Sequence, residues 1–219
     1  MSYQQEKFKE IADAIREKTG TEEKILPTDF ASMQQEVFDA GKKAEYDAFW
    51  DVFQQNGNLS NYNHAFYRWF DECYKPKYPI KTTLFTNGFA YSKIEDTLVD
   101  IEISENYQGN LLNKLFDQAT KLKTIRKLVL PSKITTYTNC FANCTALENL
   151  TVEGEICGSF DLHWSPLSKE SVESVVSALS DTVTGQTVTF NKAKTESIFD
   201  SADWEELKNL KPNWNFELA

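Results

Sequence analysis

Asp161 and His163 stand one residue apart. On a strand, side chains at i and i+2 share a face, the spacing of a general base and the carboxylate that orients it. The preferred reading of the same stretch is a solvated strand face, with Phe160, Leu162 and Trp164 turned inward, since no nucleophile accompanies the pair. Cys140, Cys144 and Cys157 with His163 are the residue types of a zinc site, but their spacing does not follow the paired-ligand pattern of structural zinc. Glu95, Asp96, Asp100, Glu102 and Glu105 could attract Ca²⁺, yet no D-x-D-x-D-G loop is present, and the run reads as a wet face. There is no G-x-S-x-G elbow, phosphate loop, G-x-G-x-x-G or H-E-x-x-H. The expectation is a protein that is not an enzyme, with no cofactor and no metal. A hydrolase of cell-wall sugars would need two carboxylates about 5–10 Å apart, which the sequence neither shows nor excludes.

The chain that must position these residues has 219 of them and a net charge of −10. That balance counts against nucleic-acid binding, where basic stripes supply most of the affinity. With 41% hydrophobic and 13% aromatic residues the chain is not a disordered one. The polar N-terminus, Met1-Ser-Tyr-Gln-Gln, predicts no secretory signal, and no uncharged apolar run approaches the ~18 residues of a membrane span. Cys73, Cys140, Cys144 and Cys157 are then expected as reduced thiols, and the N-x-S/T triplets at Asn58, Asn143 and Asn149 carry no glycan.

Phe8, Ile11, Ala12 and Ile15 form one stripe of an amphipathic helix that stops at Gly20. A second helix starts at Thr28 as N-cap, carries Phe30, Met33, Val37, Ala40, Ala44, Ala48, Phe49 and Phe53, and ends at Asn56-Gly57. Its stripe can pack on the protein's own elements or on copies of itself. Residues 57–80 form an aromatic-rich connector with Tyr62, Phe66, Tyr67, Trp69, Phe70, Tyr74 and Tyr78. This is either a binding surface or, the preferred reading, a hydrophobic plug closing the end of the next domain.

The second half repeats itself. Phe89, Ile94, Leu98, Ile101 and Ile103 are echoed by Phe116, Leu122, Ile125, Leu128 and Leu130, then by Phe141, Cys144, Leu147, Leu150 and Val152. Phe116 to Phe141, Leu122 to Leu147 and Ile125 to Leu150 are each 25 residues; Ile94 to Leu122 is 28 and Ile103 to Leu130 is 27. Such a unit buries its apolar face only against neighbouring copies. Small residues such as Ala119 and Cys144 fit the crowded corner after the Phe.

Leu128-Val-Leu-Pro131, then Ile134, then Phe141-Ala-Asn-Cys144-Thr-Ala-Leu147-Glu-Asn-Leu150 closely resembles the BspA-type leucine-rich repeat. Ala119 stands at the Cys position of the preceding unit, and the first unit has neither the Cys nor the Pro. After residue 165, the order helix (Val172, Val175, Val176, Leu179), strand (187–190), short helix (Ile198, Phe199, Trp204, Leu207) and terminal 214–219 resembles the end of leucine-rich repeat proteins of phages and prophages of Gram-positive gut bacteria. Ile11-Ala-Asp-Ala-Ile15 through Phe30 looks like a segment at the head of phage structural proteins from the same hosts.

The fold expected is α+β: a helical region over 1–56, the connector 57–80, a short leucine-rich-repeat solenoid over 81–165 and a helix/strand cap over 166–219. The resemblance implies a phage structural or accessory protein, in the virion or the host cytoplasm, that recognises a protein or bacterial surface component. The N-terminal helices would anchor it, as a homo-oligomer if their stripe is the seam. Tyr91, Tyr107, Tyr137 and His163 are the expected contact residues. The rival reading is a phage-encoded inhibitor of an intracellular bacterial defence protein, an acidic chain seated in a basic groove.

Overall fold

Leu122, Ile125, Leu128 and Leu130 are all buried along one strand, β5 (Leu122–Leu130). Their spacing of three, three and two departs from the strict alternation of a half-buried strand. The departure has two local causes: the pairing shifts register between Leu122 and Thr124 on one side and between Ile125 and Leu128 on the other. These are bulges that each insert one residue, the second turning two neighbours outward. Arg126 and Lys127 therefore both face away from the core, and each reaches an acidic partner on a different side of the strand.

The computed structural model describes residues 80–82, 87–92, 94–98 and 100–219. The expected N-terminal helices, the aromatic connector to residue 79 and Cys73 lie outside them. Helix and strand are mixed in the described chain, and every pairing between its strands is parallel. Around β5, one side pairs with β2 (Asp96–Leu98) and β3 (Ile101–Ile103), which follow one another along it, and the other with β7 (Asn149–Gly154). Beyond β3 lies β1 (Ile80–Thr82). The sequence spacings reappear as register: Leu98 lies opposite Ile125, and Ile125 opposite Leu150. A second, two-stranded sheet joins β4 (Leu111–Asn113) to β6 (Thr136–Thr138).

Between these sheets the chain turns through a Phe-centred corner. Phe89, Phe116 and Phe141 are buried one above the next, with ring centroids 5.5 and 5.2 Å apart. Stacked rings of this kind add about 0.5–1.5 kcal/mol per pair beyond their burial. Each corner has left-handed residues two before and two after its Phe: Asn87 and Tyr91, Lys114 and Gln118, Asn139 and Asn143. Asn tolerates that region; Tyr, Lys and Gln adopt it at a cost. The corners are tied by backbone hydrogen bonds, Phe89 N–H to Leu115 C=O and Phe116 N–H to Cys140 C=O, each 2.8 Å. The small position after the ring holds Ser92, Ala119 and Cys144 in turn, each with its N–H on the Phe carbonyl.

Residues 160–219 form a third sheet, β8 (Phe160–Leu162), β9 (Thr187–Phe190) and β10 (Asn215–Leu218) in that spatial order. Asp161 lies opposite Thr189, and Thr189 opposite Glu217, an offset of 28 residues at each step. The sheet thus crosses the boundary expected at residue 165. Helix α1 (Lys169–Ala178) connects β8 to β9, with Ser168 as the expected N-cap and Val172, Val175 and Val176 buried. Between β9 and β10 the single short helix expected is two: α2 (Lys192–Ile198), and α3 (Ser201–Asn209) begun by Asp200, whose carboxylate accepts from Ala202 and Asp203 N–H. Asp200 satisfies the orphan donors of a new helix start, so the chain breaks there rather than continuing.

α1 also solves an edge problem. On its far side from β5, β7 would expose unpaired N–H and C=O groups. Instead Ser171 Oγ accepts the Leu150 N–H at 2.9 Å and donates to Glu148 C=O at 3.1 Å, and Ser174 Oγ accepts the Val152 N–H at 2.9 Å. Two serines spaced i, i+3 face the same way from a helix, so one helix face closes the edge. Close backbone approach also explains two glycines. A Cβ on Gly154 (φ +84°) would sit 2.0 Å from Leu130 O, and one on Gly158 2.0 Å from Thr135 O.

Candidate functional site

The expected contact set divides. Tyr107 and Tyr137 are buried, and this corrects their assignment to an exposed surface. Tyr107 Oη donates to Leu111 C=O at 3.0 Å. Tyr137 Oη donates to Ile134 C=O at 3.1 Å, and its ring packs edge-on against Phe160 at 4.9 Å. Tyr137 is the inward residue of a three-residue strand whose neighbours Thr136 and Thr138 face out. Burial raises its phenol pKa well above the ordinary value of 10.0. Phase decided this: a tyrosine has both an apolar body and a polar tip, so its type does not reveal its side. Tyr91 is half-buried, held left-handed at a corner.

His163 is half-buried, and it meets Asp161 on a turn and not on the shared strand face expected: Oδ1 lies 2.7 Å from His163 Nδ1 and accepts the His163 N–H at 3.1 Å. Trp164 does not face inward as expected; it is 44% exposed, its ring 4.7 Å from the imidazole. β8 ends at Leu162 and a turn succeeds it, so alternation stops before Trp164. Asn191, which also caps α2, donates from Nδ2 to His163 C=O at 2.8 Å. The Asp–His pair thus sits on a turn at the C-terminal end of β8, fixed by its own backbone and by Asn191.

The thiols of the alternative zinc reading serve the backbone. Cys140 Sγ donates to Leu112 C=O at 3.3 Å and Cys144 Sγ to Phe116 C=O at 3.1 Å. Burial pushes the Cys140 thiol up to about 12 and the Cys144 thiol also upward, away from the thiolate that metals bind. Cys140, Cys144 and Cys157 are free thiols. Among the described residues no three His, Cys, Asp or Glu side chains converge as a metal site, and no helix is long and apolar enough to cross a membrane.

Two members of the acidic run, Glu95 and Asp100, pair with β5 and its approach. Glu95 pairs with Lys121 at 2.5 Å and Asp100 with Arg126 at 2.7 Å, while Lys127 turns the other way to Glu153 at 2.8 Å. A basic central strand between acidic neighbours is therefore the outward face of the larger sheet, and exposed Asn149 reaches Thr124 at 3.3 Å beside it. Taken alone, the acids suggest only a wet face; the cations at 121, 123, 126 and 127 were the available signal. No protein-family model, curated protein or solved structure matches the chain.

Proposed function

We propose that the protein is a non-enzymatic phage structural or accessory protein. Its short leucine-rich-repeat solenoid presents a recognition surface to a protein or bacterial surface component. The observation that carries this reading is the parallel register at offsets of 27 and 25 residues through Leu98, Ile125 and Leu150. Those offsets fall within the roughly 20–29 residues of leucine-rich repeats in general, the class to which the repeat that the sequence resembles would belong. In a stack of this kind inward side chains are consumed by neighbouring units, and outward ones are left to vary. The outward row of Arg126, Lys127, Val129, Thr151 and Glu153 meets that description. The Asp161–His163 pair lies on a turn against an exposed indole, a geometry suited to contact rather than turnover.

The experiment is mass spectrometry of purified virions from a strain carrying the gene. Peptides of this chain in the particle are expected. Their absence would overturn the structural reading and favour the inhibitor of a defence protein.

A further inference from the structure

Trp164 is one of three large apolar side chains left exposed among the described residues, and its surroundings differ from those of a lone surface Leu. Its ring lies 4.7 Å from that of His163. His163 Nδ1 is fixed on Asp161 Oδ1 at 2.7 Å, and the same oxygen accepts the His163 backbone N–H. An acceptor on Nδ1 places the ring proton there and leaves Nε2 as the open nitrogen. Among the described residues Asp161 Oδ2 likewise has no hydrogen-bond partner. Beside Asp161, in register on β9, is half-buried Thr189, and beyond it exposed Glu217 on β10. Adjacent strands are ~4.8 Å apart, a step on the scale of one sugar ring.

We propose that this corner binds a glycan built from hexose-type sugars. The apolar C–H face of one ring stacks on Trp164, and its hydroxyls bond to Asp161 Oδ2 and His163 Nε2. The next sugar lies across the strands toward Thr189. The pairing of chemistries carries the assignment. A pyranose has an apolar face and a hydroxyl rim, and here an exposed indole borders acceptors already oriented by the backbone. A protein partner would find the indole beside the polar His163–Asp161 pair instead of within a wider apolar surface. Pre-set rotamers reduce the ordering cost that weakens most exposed sites. The proposal rests on the recognition reading above and names the chemical class of its target.

The test is calorimetry of the full chain with hexamers of glucose, galactose, mannose, rhamnose and N-acetylglucosamine, one at a time. At least one is expected to bind, with Trp164→Ala weakening it tenfold or more, Asp161→Asn weakening it less, and Leu210→Ala leaving it unchanged. Trp164 and Leu210 are both exposed, so unaltered melting of both variants separates lost contact from lost fold. Binding of no hexamer at millimolar concentration, or equal binding by the Trp164→Ala variant, overturns the proposal. If that result comes with the chain present in virions, the glycan assignment falls while the recognition module stands. Absence from virions strikes the module itself.

Discussion

Residues 87–154 and 160–219 both place parallel strands side by side, but they return the chain between strands in different ways. In the first region the return passes through a Phe corner with paired left-handed residues, and successive corners lie 27 and 25 residues apart. In the second the return contains helices, and the strand offset is 28 at each step. Hydrogen bonding dictates the separation of the strands in both; only the return is free to change. A compact corner demands a large flat ring to stack and backbone in a sparsely populated region. A helical return demands an apolar stripe and caps, which Val172, Val175, Val176 and Ser168 provide. The two regions meet where Phe141 packs on Phe160 at 5.4 Å, and where the serines of α1 close the edge of β7.

The sharpest way to break this comparison is at the middle of the ring stack. Phe116→Ala removes a ring packed on both sides and should destabilise the protein by about 3–5 kcal/mol, read by urea denaturation. A loss under about 1 kcal/mol, below the range for burying such a ring, would mean that the corner does not depend on it. Next in size is the edge closure. Ser171→Ala leaves the Leu150 N–H and one bond to Glu148 C=O unmet, at about 1–3 kcal/mol, and amide exchange at Leu150 should quicken. Unchanged exchange would show that the helix covers the edge without the hydroxyl.

Asp117 sets up a smaller test with a sign. It stands where the neighbouring corners hold Ala90 and Ala142, buried beside Lys114 at 3.7 Å. Burial raises its pKa above 3.8, more than Lys114 lowers it. A carboxyl whose pKa is higher folded than unfolded adds stability below the unfolded value and loses it as pH rises through the folded one. Asp117→Asn should therefore melt higher than the parent at pH 7, and the gap should close as pH falls below 3.8. A gap that widens on acidification would show Lys114 dominating instead. The smallest effect is expected at the exposed Arg126–Asp100 pair, whose contribution solvent largely screens. Arg126→Ala should leave the denaturation midpoint within error, and a clear fall would assign the ion pairs across β5 a structural duty.

Much of the first region was legible because repetition exposes it: Phe89, Phe116 and Phe141 recur at similar intervals, 27 and 25 residues, and become a stack. The first half of the helical return was legible too, since Ser168 precedes an apolar stripe. Less visible was the fate of single aromatics. Tyr107 and Tyr137 went inward and Trp164 outward, against expectation: Tyr137 is the middle residue of a three-residue strand, whereas Tyr107 and Trp164 lie outside strands, where alternation gives no phase. The bulge in β5 was hidden for a related reason: two adjacent cations, Arg126 and Lys127, look like a break in the pattern until neighbours on both sides give each a partner. Of the candidate site, the spacing of Asp161 and His163 marked the pair, but the turn that joins them and the indole beside them were not foreseen.

By itself the sequence determined the approximate period, the inward leucine-type positions and the small residues behind the rings, since these arise from local size and hydrophobicity repeated at intervals of 25–28 residues. Tertiary structure alone decided which side each lone aromatic faces, which strand each charge addresses and how the last edge of the larger sheet is closed. Those outcomes depend on register between segments about 25 residues apart, and register is a property of two paired backbones that neither segment carries alone.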